Sequence, residues 1–140
     1  MPSDFLDANI LIYAALKEPG AEAKQRIALD LLRTTDFAVS GQVIAESYYA
    51  ILRKAAPPWS EDQLDLWLST ICERPCVSVD GGLVRRGALL ARRYRISYWD
   101  GAIIAAAEQI GAKTLYTEDL NDGQIYGAVT VRNPFKAMSI

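Results

Sequence analysis

SDFLDANILIYAALK, residues 3–17, joins two kinds of apolar spacing at one acid. Ser3 to Asp7 reads as a short strand, and Ala8 to Lys17 has the spacing of an apolar helix that stops before Glu18-Pro19-Gly20. Asp7 therefore falls at the carboxyl end of a strand and the start of a helix. A chain that begins strand–helix in this way fits an α/β layout.

The remaining elements extend that pattern. Ala21 to Arg33 is a helix with Ile27 and Leu31 inward, and Phe37 to Ser40 is a strand. Gln42 to Ala55 is a helix stopped by Pro57-Pro58. Ser60 with Gln63 has the spacing of a capping box opening a helix to about Glu73. CVSV at 76–79 is a third strand, Gly82 to Arg95 and Tyr98 to Ile110 are helices, and TLYT (114–117) and AVTVRN (128–133) alternate as strands. The connections are too long for hairpins, so the order argues for a parallel α/β sheet with helices on both faces. No repeat or linker divides residues 1–140, and one domain is expected.

Composition narrows the chemistry. With 51% apolar and 23% charged residues the chain has a globular balance, and its net charge of −2 gives no overall pull toward nucleic acid. No stretch is long and apolar enough to cross a bilayer, and the amino terminus carries acids rather than a basic leader, so a cytoplasmic location is the default expectation. There is no histidine. That excludes histidine bases, histidine metal ligands and the serine–histidine or cysteine–histidine arrangements. Cys72 and Cys76 lack the C-x-x-C spacing and partners for zinc, and read as buried or incidental thiols.

What remains is carboxylates. Asp100 lies in SYWDGAIIAAAEQIG (97–111) on the face of Ile103, Ile104 and Ala107, and Glu46 shares a helical face with Val43, Tyr49 and Ala50. Asp7 ends the first strand and Asp119 follows TLYT by two residues. Ligand crevices in open α/β sheets lie beyond the carboxyl ends of the strands, where all four acids would meet. Each alone has a plain alternative: Asp7 and Asp100 as helix caps, Glu46 paired with Arg53 or Lys54, Asp119 in a turn with Asn121-Asp122-Gly123. Asp4, off the face of Asp7, reads as a solvated strand end. Four converging carboxylates raise one another's pKa or require a cation, and hard oxygen ligands select Mg²⁺ or Mn²⁺. Such a site suits phosphodiester hydrolysis by metal-activated water. Arg85 with Arg92, and Arg86 with Arg93, share faces of their helix, either as a solvated surface or as candidate RNA-binding residues.

In order and spacing, FLDANILIYA, the acid of VIAESYYAIL, YWDGAIIAAA and LYTEDLNDGQ resemble the PIN domain, and within it the VapC-type toxins of toxin–antitoxin pairs. The resemblance covers about Ser3 to Asn133. It implies a Mg²⁺- or Mn²⁺-dependent endoribonuclease acting on structured RNA such as tRNA or ribosomal RNA, a homodimer, and a cognate antitoxin that blocks the site. By the resemblance the four family acids fall on Asp7, Glu46, Asp100 and Asp119, with Asp122 an alternative for the fourth. Asn9 and Thr117 match the supporting polar residues. Asp7 and Asp100 would be the direct metal ligands, with Glu46 and Asp119 completing the shell directly or through water. Gly101 departs from the usual alanine and is expected to loosen its helix start. Three other classes fit less well. A two-component receiver needs a lysine ending a late strand, whereas Lys113 precedes its strand. A haloacid-dehalogenase-type phosphatase needs D-x-D, whereas Asp7 is followed by Ala8 and Asn9. A non-catalytic RNA-binding module would not need the four acids intact.

Overall fold

Two short strands at the middle of the sheet are the frame on which the site is hung. In the computed structural model, which describes residues 2–136, the chain runs β1 (Asp4–Leu6), α1 (Ala8–Ala15), α2 (Glu22–Thr34), β2 (Phe37–Ser40), α3 (Gly41–Lys54) and α4 (Glu61–Cys72). It continues through β3 (Cys76–Val77), α5 (Gly81–Tyr94), α6 (Tyr98–Gln109), β4 (Thr114–Tyr116), β5 (Ile125–Tyr126) and β6 (Val129–Arg132). The strand order is β3-β2-β1-β4-β6-β5, parallel throughout except for β5 against β6. Phe5, Leu6, Val39, Leu115 and Val131 are fully buried along these strands. Right-handed crossovers put α1–α4, which link β1, β2 and β3, on one face and α5–α6, which return to β4, on the other. This is the expected α/β/α arrangement. The winding direction reverses between β1 and β4, the switch point beyond whose carboxyl ends open α/β sheets hold their ligands.

Helix α6 is buried almost all round, from Gly101 through Ala107, because it lies between the sheet and α5. Small residues make that possible. Gly87 of α5 and Gly101 of α6 face one another so closely that a Cβ on Gly101 would strike the Gly87 carbonyl and come within 2.9 Å of Ala91 N. Gly101 thus docks the helix start rather than loosening it. Ser97 caps α6, its hydroxyl accepting from Asp100 N at 3.1 Å.

Several boundaries differ from the sequence reading. Helix α1 stops at Ala15 rather than Lys17, because Leu16 turns extended and buries its side chain against Ile51 and Leu64. β3 holds two residues rather than four: β2, its only neighbour, ends at Ser40, which caps α3, and leaves Ser78 and Val79 nothing to pair with. β5 was not expected. It forms a two-residue hairpin with β6 through Gly127-Ala128, where Gly127 has φ +59. Glu108 of α6 pins this turn, accepting from Ala128 N at 3.0 Å and from Arg86 of α5 at 3.1 Å. Cys72 and Cys76 are exposed, unpaired thiols, which agrees with the incidental and not the buried alternative, and Asp4 is half-buried rather than solvated.

Candidate active site

Asp7 continues the β1–β4 ladder through its own N–H, which donates to Tyr116 O at 3.1 Å, and then caps α1. Its carboxylate is 6% exposed. Oδ1 accepts from Ala8 N at 2.7 Å and Oδ2 from the Thr117 hydroxyl at 2.8 Å. Thr117, fully buried just past β4, has no hydrogen-bonding capacity to spare. It donates its only proton to Asp7 and accepts from Asn9 Nδ2 at 3.2 Å and from Asp119 N at 3.1 Å. That arrangement fixes the direction of every bond around it. Burial pushes the Asp7 carboxyl up to about 7 against the pull of the Thr117 and Ala8 donors, and the charges of Asp119 and Glu46 add to the rise.

The other candidates surround this pair. Asn9, in the first turn of α1, also donates to Asp119 Oδ2 at 3.1 Å, while its Oδ1 is buried without a partner. Asp100 is half-buried on the first turn of α6. Burial raises its pKa, the Ser97 hydroxyl opposes the rise, and Asp119 and Glu46 reinforce it. Glu46 sits on the exposed side of α3 rather than on an apolar face: Tyr49, one turn along, is 58% exposed. Gln42 steers it, donating from Nε2 to Glu46 Oε1 at 3.0 Å and to Trp99 O at 3.4 Å. Sequence reasoning passed over Gln42, although its i, i+4 spacing to Glu46 is a legible signal. The four acids thus share one electrostatic neighbourhood. Among the described residues, however, no three acid or cysteine side chains stand close enough to cage an ion unaided.

The acids after β4 divide by partner. Glu118 accepts from Tyr13 Oη at 2.8 Å and Lys24 Nζ at 3.0 Å. Asp122 accepts from Asn133 N at 2.8 Å and faces Lys136 Nζ at 3.8 Å, bracing the loops of β4 and β6. Asp119 alone of the three joins Asn9. On α5, Arg86 is tied to Glu108, and the Arg93 guanidinium lies 5.3 Å from the Tyr94 ring centre. Arg85 and Arg92 are exposed along a shallow surface groove beside Leu89.

Because Thr117 serves three groups at once, Thr117→Val should be costly although its shape is nearly unchanged. Asp7 Oδ2 and Asp119 N lose their partner and Asn9 Nδ2 loses one of two. At about 1–3 kcal/mol per buried group left unsatisfied, we expect a loss of roughly 2–4 kcal/mol by denaturant titration at pH 7. Thr117→Ser, which keeps the hydroxyl, should recover most of it.

A model of the PIN domain matches residues 5–125. The chain belongs to the PIN domain family. Its fold is similar to that of a toxin–antitoxin complex from Klebsiella pneumoniae, at 19% identity over 94% of this chain and 98% of that one, with a TM-score of 0.71. VapC20 of Mycobacterium tuberculosis, described as a sarcin–ricin loop cleaving toxin, aligns at 16% identity over 84% of this chain and 92% of its own, with a TM-score of 0.65. DNA-bound VapBC from Salmonella typhimurium aligns at 18% identity over 96% and 99%, with a TM-score of 0.62. Among curated proteins none matches the sequence. No helix among the described residues is long and apolar enough to cross a membrane.

Proposed function

We propose that this PIN domain is a Mg²⁺- or Mn²⁺-dependent endoribonuclease and the toxin of a toxin–antitoxin pair. The observation that carries this reading is the buried Asp7 carboxylate, gripped by Ala8 N and Thr117 Oγ1 with Glu46 and Asp119 raising its proton affinity. A carboxylate so placed needs a proton or a cation, and Asp100 responds to the same two charges. The donor set fits a hard divalent ion: it is all oxygen, with no histidine in the chain, and Asn9 Oδ1 is a buried acceptor without a donor. Asp7 and Asp100 would hold the ion, with Glu46 and Asp119 completing the shell directly or through water. Mg²⁺ keeps several waters and takes only one or two carboxylates, so a pre-closed cage of three acids is not required.

When bound, such an ion supplies a water of lowered pKa and neutralises charge building on the phosphodiester. The chain does the rest. Thr117 holds Asp7 in one orientation, Asn9 fixes Asp119 and offers Oδ1 to a water proton, and Gln42 restrains Glu46. Arg85, Arg92 and Arg93 are the cations of α5 left to meet RNA phosphates, since Arg86 is committed to Glu108. RNA as substrate is supported by the description of VapC20 as a sarcin–ricin loop cleaving toxin, and ribosomal or transfer RNA as its class rests on the family resemblance. A cognate antitoxin is supported by the toxin–antitoxin complexes among the structural neighbours. A homodimer and action in the cytoplasm are part of the proposal on family resemblance.

The direct experiment is to incubate the purified chain with total RNA in Mg²⁺ or Mn²⁺ and again with EDTA. Defined fragments only in the metal arms support the proposal, and equal cleavage in EDTA, or none anywhere, ends it. The pH dependence should carry the mark of Asp7. A metal needs the ionised carboxylate, so Mg²⁺ affinity by calorimetry should rise about tenfold per pH unit up to about 7 and level off above it. The metal-free fold should show the opposite trend from the same group. Its pKa is raised from 3.8 to about 7, so its contribution to stability is complete below 3.8 and lost as pH climbs through 7.

A further inference from the structure

The acid cluster opens on one side into an apolar cleft that the chemistry above does not use. Gly41, Gln42, Ala45 and Glu46 of α3, Val79 after β3, and Tyr98 and Trp99 of α6 line it, around a volume of about 660 Å³, within the range of small-ligand pockets. Trp99 is 62% exposed and Val79 51%, large apolar surfaces left to solvent at the edge of a charged site. Trp99 directly precedes Asp100. Its ring meets that of Tyr98 edge-on, with centroids 5.1 Å apart. Its carbonyl is fastened by Gln42, the same amide that holds Glu46. One side chain therefore sets the position of an acid and of an aromatic platform together.

We propose that this cleft seats an unpaired nucleobase of the RNA, stacked on Trp99, next to the phosphate held at the acids. The inference rests on the nuclease reading and deepens it. A phosphodiester brought beside Glu46 and Asp100 by the divalent ion of that reading carries a base on each side, within one nucleotide's reach of that phosphate. The cleft shares Glu46 with the acid cluster, so the base that enters it belongs to a nucleotide bordering the cut. An aromatic face accepts any base and rejects none by hydrogen bonding, whereas a base still paired in a helix cannot reach it. The cleft thus selects looped or single-stranded positions and biases the cut by stacking strength, favouring purines over pyrimidines beside it. The carboxylates alone provide no such selection, because every phosphodiester looks the same to them.

The test compares wild type, Trp99→Ala and Trp99→Phe on a single-stranded RNA pool with Mg²⁺, mapping the ends produced. Trp99→Ala should lower kcat/KM roughly 10- to 100-fold, mainly through KM, and flatten the base preference at one position beside the cut, while Trp99→Phe stays within a few-fold of wild type. Equal kcat/KM with unchanged cut sites in Trp99→Ala would overturn the proposal. So would a change of molecular mass on Trp99→Ala by light scattering, which would assign the cleft to a second protein chain. A binding arm separates this inference from the nuclease reading. With Trp59 and Trp67 replaced by phenylalanine, Trp99 is the sole tryptophan, and a single-stranded 12-mer should quench its emission while a duplex of the same composition does not. Quenching without any cleavage by wild type would leave the platform standing and remove the nuclease. Cleavage by wild type without quenching would do the reverse.

Discussion

Asp7→Asn is expected to lower metal-dependent RNA cleavage by on the order of 10³-fold while leaving the fold intact, because it removes charge at the point where the proposed ion is held. The two consequences separate a ligand from a cap. Asparagine caps helices as well as aspartate, so the Ala8 N bond survives in kind. Against that, the amide presents an N–H to Thr117 Oγ1, whose lone pairs are already taken by Asn9 and Asp119. That loss opposes the relief of no longer burying a charge, so stability at pH 8 should stay within about 1 kcal/mol of wild type. The stabilisation by added Mg²⁺ should vanish with the activity. Asp100→Asn should follow the same pattern with a smaller change in stability, since Asp100 is only half-buried. Full activity in either variant would remove that residue from the site. A variant that simply unfolds would instead mark its carboxylate as structural, and near-native circular dichroism with lost cleavage is the result expected.

A comparably large effect on stability should come from a single methyl group. Gly101→Ala places a Cβ against the Gly87 carbonyl and Ala91 N, both backbone atoms of a packed helix that cannot rotate away. Alanine gains up to about 1 kcal/mol in helix propensity over glycine, and the forced separation of α5 from α6 should outweigh it. We expect a net loss of about 3 kcal/mol in urea titration, and cleavage to fall with it because the displaced residue adjoins Asp100. Gly87→Ala should behave alike, since its Cβ would lie 2.9 Å from Ala102 Cα. Gly81→Ala is the control: nothing lies within 4 Å of a Cβ there, and it should be neutral or slightly stabilising. Wild-type stability in Gly101→Ala would mean that the two helices are free to part.

These two residues mark the boundary of what was legible. The position of Asp7 was readable because strand and helix spacing change at that residue, and local periodicity is a property of neighbours. The same holds for Ile103, Ile104 and Ala107, buried as their spacing required. Gly101 was misread because its neighbour, Gly87, is close only across two helices, and a comparison of residue types says nothing about interhelical distance. Glu46 was misplaced on an apolar face for a similar reason. Periodicity groups side chains on a face without telling which faces are packed into the core, and Tyr49 and Glu46 lie on the exposed side of α3. The β5 hairpin was hidden by length: two residues carry no alternation to read, and Gly127-Ala128 is a weak turn signal.

By itself the sequence determined the order of the strands and helices other than β5, the α/β class, the absence of histidine chemistry and the four acids as candidates, because each depends on residue type and short-range spacing. Only the tertiary structure decided how those acids are used. Thr117 and Asp7 are far apart in the chain and meet because β4 pairs with β1, where the winding of the sheet reverses. That pairing buries one carboxylate, orients it through a saturated hydroxyl and lifts its pKa. It also divides the acids that follow β4 by partner, since Asn9 reaches Asp119 while Asn133 and Lys136 hold Asp122. Burial and hydrogen-bond saturation belong to the assembled volume, and no window of neighbouring residues contains them.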